Sequence, residues 1–217
     1  EAGRGRDDAH VRGDRLGELG IIQDGAVALQ DESILAVGTS EELFQAFPSA
    51  SSFDAGGRVV LPGFVDPHTH LVWAGDRAEE FTLRLQGKTY MEIMEAGGGI
   101  LSTVRATREA TETELVQQAR QRADLALSYG TTTLEVKTGY GLTFEQEIKQ
   151  LRAILTLDKE GPLEMVPTFM AAHAVPPEYQ GRTQDYVHLI CSDMLPDLAA
   201  WWQDHQPRDP LPFVDVF

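Results

Sequence analysis

Two histidines, separated by a single residue, are the strongest chemical signal in the chain. They close the run Pro62-Gly63-Phe64-Val65-Asp66-Pro67-His68-Thr69-His70. Side chains alternate along a strand, so His68 and His70 are expected on one face, where two imidazoles can chelate a single ion. Imidazole suits zinc or iron. The plain alternative is a pair of polar strand residues facing solvent, and the Pro-Gly-Phe-Val-Asp lead-in favours the metal. Glu135 and Lys137 share another strand face and suit an internal ion pair. Gly97-Gly98-Gly99 lacks the Gly-Lys-Ser/Thr ending of a phosphate loop and does not follow a strand. Arg105 and Arg108 read as helix-surface charges, and His10, His188 and His205 as surface residues.

Those residues need a scaffold, and the pattern changes near residue 62. Residues 1–15 read as a mobile tail. Ala26–Leu29 and Ile34–Gly38 flank a polar turn and suggest a hairpin. Glu41–Phe47 suits a helical turn and Arg58–Leu61 a short strand. Beyond Pro62-Gly63 the rhythm is strand, loop, helix. Phe64–Leu71 is a strand candidate. Thr111 and Glu114 have capping-box spacing ahead of Leu115, Ala119, Ala123 and Ala126 on one helical face, and Gly130 stops that helix. Thr131–Val136 is β-rich. Thr143 and Gln146 open a second helix with Ile148, Leu151 and Leu155 on its buried side, ending at Gly161. Leu163–Phe169 is a third strand, Thr183–Gln203 a third long helix, and Phe213–Phe217 a fourth strand.

Alternating strands and helices predict an α/β fold with a parallel sheet and right-handed crossovers. Four such units make the first half of a (β/α)8 TIM-type barrel, here preceded by a small β-sandwich segment. The expected division is residues 1–61, tail plus part of a small β domain, and residues 62–217, four β/α units. An open doubly wound sheet is the alternative. No strand leads into a Gly-x-Gly-x-x-Gly helix start, which disfavours a dinucleotide site.

The His-x-His strand with its lead-in resembles the amidohydrolase superfamily. Within that superfamily, four further stretches are similar to the imidazolonepropionase family. They are His70-Leu71-Val72-Trp73-Ala74-Gly75-Asp76-Arg77, Gly97 through Arg108, Glu135-Val136-Lys137-Thr138-Gly139-Tyr140-Gly141-Leu142, and Ala172-His173-Ala174-Val175-Pro176-Pro177-Glu178-Tyr179. The likeness runs from about Gly56 to Phe217. It implies a barrel hydrolase that opens the ring of 4-imidazolone-5-propanoate to N-formimidoyl-L-glutamate in histidine degradation. It also implies one zinc or iron ion that activates water, with His68 and His70 as ligands. Arg77, Tyr140 and His173 fall on substrate-holding positions, where a planar guanidinium suits a propanoate carboxylate. The duller readings are a surface ion pair of Arg77 with Asp76 or Glu79, a packed loop aromatic and a loop histidine. The family's remaining metal ligands and its acid/base glutamate have no counterpart here. The resemblance therefore implies an incomplete chain, inactive alone, with a homodimer allowed at full length. A related deaminase or cyclic amidase is the neighbouring reading, and an inactive fragment the non-enzyme one.

Composition bounds the partners. Among 217 residues, 18 Lys and Arg against 34 Asp and Glu give a net charge of −16. That balance argues against phosphate-backbone binding and against docking on an anionic membrane. Hydrophobic residues at 42 % support a globular chain. One cysteine, Cys191, allows no internal disulfide and points to a reducing, cytoplasmic setting. No apolar run is long enough to span a bilayer and no secretory leader is evident.

Overall fold

A computed structural model describes residues 13–95, 97–206 and 210–217. His10 and most of the expected tail lie outside the described residues, while Gly13–Gly17 forms a 3-10 turn. The chain divides into two units, the first ending at Val60 and the second spanning Leu61–Phe217.

The first unit holds an antiparallel hairpin of β1 (Gly25–Gln30) and β2 (Ser33–Thr39), followed by α1 (Ser40–Ala46). Thr39 starts that helix with a capping box. Its hydroxyl accepts from the Glu42 amide, and the Glu42 carboxylate accepts from the Thr39 amide. Among the described residues of this unit there is one two-stranded sheet, so a hairpin stands where a sandwich segment was expected. Arg58–Leu61 is not a strand; it is irregular chain with Val59 and Val60 exposed.

The second unit is a curled parallel sheet of β3 (Phe64–Thr69), β4 (Thr131–Lys137), β5 (Glu164–Ala172) and β6 (Phe213–Val216), ordered as in the sequence. It is the first half of a TIM-type barrel. Two long helices, α5 (Glu112–Ser128) and α6 (Phe144–Glu160), return the chain between strands and cover the outer face. Leu134, Val136, Met165, Phe169 and Ala171 meet Leu115, Ala119, Ala123, Ile148, Leu151, Ile154 and Leu157 there. Each fully buried Leu or Ile is worth about 1.5–3 kcal/mol. Leu155, expected on the buried side of α6, is only half-buried; Ile154 and Leu157 take that face.

Residues 71–110 hold elements that the sequence pattern did not announce: α2 (Ala78–Leu85), α3 (Tyr90–Glu95) and α4 (Ile100–Glu109). Side chains from the long helices tie this stretch down. Arg122 donates to the carbonyls of Leu71 and Trp73 and lies over the Trp73 ring. The Lys149 ammonium donates to the carbonyls of Thr107, Arg108 and Ala110, satisfying the C-terminal end of α4 where a cation suits the helix dipole.

The expected single helix over Thr183–Gln203 is interrupted. α7 (Thr183–Leu189) passes into a π turn at Ile190–Met194 and then into α8 (Leu195–His205). The cause lies in Pro196, which has no N–H to give and whose ring would strike the carbonyl four residues back. Widening the preceding turn moves that carbonyl aside.

Candidate active site

β3 delivers the two histidines through an irregularity. Pairing with β4 slips by one residue between Asp66 and Thr69. Before the slip, Val65 faces inward with Thr133 and Asp66 faces outward with Leu134; after it, Thr69 takes the outward face beside Val136. The extra residue therefore turns His68 and His70 to the inner side, which strict alternation from Val65 would deny them. Pro67, lacking an N–H, sits in the slip, and the Asp66 carboxylate accepts from the His68 amide.

Four of the singled-out side chains converge at the C-terminal ends of β3, β4 and β5. The His68 and His70 ring centres are 6.0 Å apart. His70 stacks on His173 at 4.5 Å, and Tyr140 lies 5.2 Å from His70 and 5.3 Å from His173. With metal–nitrogen bonds of about 2.1 Å, two imidazoles sharing an ion have centres about 5–6 Å apart, so the His68–His70 spacing fits. Among the described residues no group of three or more His, Cys, Asp or Glu is placed to hold an ion.

Both inner imidazoles are anchored through Nδ1. His70 Nδ1 is 2.9 Å from the Thr138 carbonyl and His173 Nδ1 is 2.9 Å from the Gly139 carbonyl. A carbonyl can only accept, so each Nδ1 carries the proton and each Nε2 keeps its lone pair. Burial, with help from His173, pushes the His70 imidazole down to about 4 against the pull of the Thr138 carbonyl. It is neutral throughout the range above that. Burial also lowers His173. The Tyr140 hydroxyl is raised by burial and stays protonated, a donor, with the Arg77 charge opposing the shift.

Arg77 pairs with neither Asp76 nor Glu79. Its Nε and Nη2 contact one oxygen of Glu80 at 2.9 and 2.7 Å, and the other Glu80 oxygen accepts from the Gly99 amide. Burial pushes the Glu80 carboxyl up, but Arg77 and the Gly99 amide hold it below the ordinary range. The guanidinium remains 40 % exposed and makes no other hydrogen bond to a described residue. The triple glycine thus has a backbone role: Gly99 (φ 72°) starts α4 and gives its amide to Glu80.

Arg108 is not the surface charge it was expected to be. It donates to the Gly141 carbonyl and pairs with Glu178 at 2.6 Å, joining the loops after β4 and β5. Arg105 is exposed, donating to the Gly97 carbonyl. His188 and His205 are partnered by Ser192 and by the Trp201 carbonyl.

Below the histidines, Lys137 is 4 % exposed and contacts Glu135 at 2.6 Å and Asp215 at 2.8 Å. Thr168 also donates to Glu135. Burial would lower the Lys137 ammonium, but Asp215 and Glu135 more than offset it and the charge is retained. Replacement of Lys137 by Met leaves two carboxylates facing each other. Denaturant unfolding of that variant is expected to show a loss of about 1.5–3 kcal/mol, the worth of hydrogen bonds between charged groups; an unchanged midpoint would show the pair to be idle.

Sequence reasoning missed the groups that hold these side chains in place: Glu147, Gln150 and Tyr186. Glu147 and Gln150 are a helical i, i+3 pair, polar but fully buried. A Glu directly after a Gly-rich loop and inside an apolar helical stripe was the available signal. Thr143 makes no side-chain cap, and Gln146 does not reach back to it; Glu147 turns to the loop instead.

Comparison with known proteins agrees with this geometry. The sequence signature of the amidohydrolase family matches residues 52–97, the stretch that includes both histidines and Arg77. The chain is 53 % identical over 208 residues to an imidazolonepropionase of Chloroflexus aggregans, covering 95 % of this chain and 49 % of that protein. The chain belongs to the amidohydrolase family. Imidazolonepropionases of Symbiobacterium thermophilum (54 % over 192 residues, 87 % of this chain and 45 % of the relative) and Geobacillus kaustophilus (46 % over 208 residues, 94 % and 47 %) are similarly close. This amidohydrolase chain spans about half the length of the curated relatives it matches. Among its described residues no helix is long and apolar enough to cross a membrane.

Proposed function

We propose that this chain supplies the metal-anchoring half of a hydrolase that opens 4-imidazolone-5-propanoate to N-formimidoyl-L-glutamate. The observation that carries the reading is the grouping of His68, His70, Tyr140 and His173, with both inner imidazoles tethered through Nδ1. A metal-ligating imidazole ordinarily donates its other N–H to a carbonyl or carboxylate, and His70 does so. Zinc or iron held by His68 and His70 would supply an activated water and polarise the ring carbonyl. The reaction adds one water across the ring amide: the C–N bond breaks, the carbonyl carbon becomes a carboxylate, and the departing nitrogen takes a proton.

The chain's own side chains have distinct parts in this. Arg77, oriented by Glu80, turns its outer edge to the substrate propanoate. Tyr140 donates its hydroxyl to substrate oxygen. His173 presents Nε2, an acceptor, to a ring N–H. Further ligands and the proton donor for the leaving nitrogen come from residues outside this chain.

The test is an assay on a full-length version loaded with zinc or iron, following loss of the imidazolone absorbance and appearance of the formimidoyl product. Turnover of the propanoate-bearing ring in preference to unsubstituted imidazolone is expected. Preference for a neutral nucleobase or a cyclic amide without a carboxylate would move the chain to a deaminase or cyclic-amidase activity.

A further inference from the structure

The loop after β4 is irregular, yet its backbone is fully engaged. Four consecutive amides, Gly139 to Leu142, all donate to side chains of α6. Gly139 donates to one Glu147 oxygen at 2.9 Å; Gly141 and Leu142 donate to the other at 2.8 and 2.6 Å. Tyr140 donates to Gln150, whose amide nitrogen donates in turn to the Val72 carbonyl, two residues beyond His70. Helical side chains lean toward their N-terminus, so a carboxylate in the first turn of α6 is carried back over the loop that precedes it.

The same loop sets the active-site rings. Thr138 and Gly139 provide the carbonyls that fix His70 and His173, and Tyr140 lies between them in sequence and space. Contact is close enough to forbid side chains at two positions. A Cβ on Gly139 would sit 2.8 Å from the His173 ring, and one on Gly141 would sit 2.5 Å from the Glu147 amide. Leu142 is held at φ 56°, a conformation costly for a branched residue, between the Glu147 carboxylate and the Tyr186 hydroxyl.

From this geometry we infer that Glu147 is a positioning residue: its carboxylate fixes the Thr138–Leu142 loop, and through it the directions of Tyr140, His70 and His173. The inference rests on the proposed function for its kinetic consequence, but not for its structural one. Burial raises the Glu147 carboxyl while the hydrogen bonds from Thr138, Leu142, Gly141 and Gly139 pull it back. Those amides can only donate, so an amide nitrogen in place of either oxygen faces a donor it cannot accept from.

The experiment compares full-length wild type, Glu147→Gln and Glu147→Asp, each also combined with Tyr140→Phe. It reads kcat and KM for the imidazolone, zinc affinity, and hydrogen exchange of the 138–142 amides. In folded Glu147→Gln, kcat/KM is expected to fall about 10–100-fold, as for other groups that orient ligating side chains. Exchange at 138–142 should quicken, and the loss should shrink several-fold in the Tyr140→Phe background because the two residues act through one loop. Wild-type kcat/KM, or a full additive loss with Tyr140→Phe, overturns the inference. If Glu147→Gln fails to fold, Glu147→Asp decides: it retains the charge but withdraws it by one methylene, and wild-type kinetics in it overturn the inference. If wild type itself does not hydrolyse the imidazolone, the proposed function fails. The positioning role then stands on faster loop exchange and weaker zinc binding in the variant, and falls if both are unchanged.

Discussion

His70→Ala, made in a full-length version of the protein, is expected to purify with little metal and to lose ring-opening activity by at least about 1,000-fold, equivalent to about 4 kcal/mol of transition-state stabilisation. A catalytic zinc takes three protein ligands plus water, and removing one of two imidazoles supplied by β3 leaves the ion poorly held. His68→Ala should behave alike, although the two rings differ in setting. His70 is half-buried, stacked on His173 and anchored to Thr138, whereas His68 is exposed and packed edge-on to it. Metal analysis of the purified variants beside their rates is the check. Near-stoichiometric metal with normal turnover in either variant would remove that histidine from the site.

Arg77→Met is expected to lower kcat/KM for the propanoate-bearing substrate by about 10–100-fold, the equivalent of about 1.5–3 kcal/mol for hydrogen bonds to a charged group. The loss should be much smaller for an imidazolone lacking the propanoate. Glu80 complicates a simple comparison, because Arg77→Met also frees a carboxylate that secures Gly99 at the head of α4. Glu80→Gln serves as the control, since it disturbs the helix start while leaving the guanidinium present. Equal losses on both substrates, matched by Glu80→Gln, would show that Arg77 supports the α4 start and does not hold the substrate.

The core β/α rhythm was legible because each signal was local. The Thr111 and Glu114 spacing forms its capping box, with the Thr111 amide 2.8 Å from the Glu114 carboxylate, and the apolar face at Leu115, Ala119 and Ala123 is buried. The Glu135–Lys137 pair forms as strand alternation required, but its third member, Asp215, lies 78 residues away and two strands over. The His68 and His70 faces were expected correctly for an incomplete reason: alternation puts them on a common face, and only the slip at Pro67 makes that face the inner one. Residues 71–110 were opaque because their helices are short and held by Arg122 and Lys149 from elsewhere in the chain. Glu147 was opaque for a related reason. A buried glutamate looks like an error in an apolar stripe until the four donating amides of a distant-looking loop are placed around it.

The π turn at Ile190–Met194 bears on which length changes this chain can accept. Outer helices of a barrel ordinarily tolerate drift, and a π turn amounts to one additional residue accommodated within an α-helix. Removing a single residue between Ile190 and Met194 would restore regular winding locally. It would also rotate everything downstream by about 100°, the angle of one α-helical residue. Leu198 and Trp202, the buried residues of α8, would swing out of the core, and polar neighbours such as Asp197 would swing toward it. The widened turn therefore acts as a phase setting for α8, and a one-residue deletion there is tolerated less well than many substitutions at the same positions.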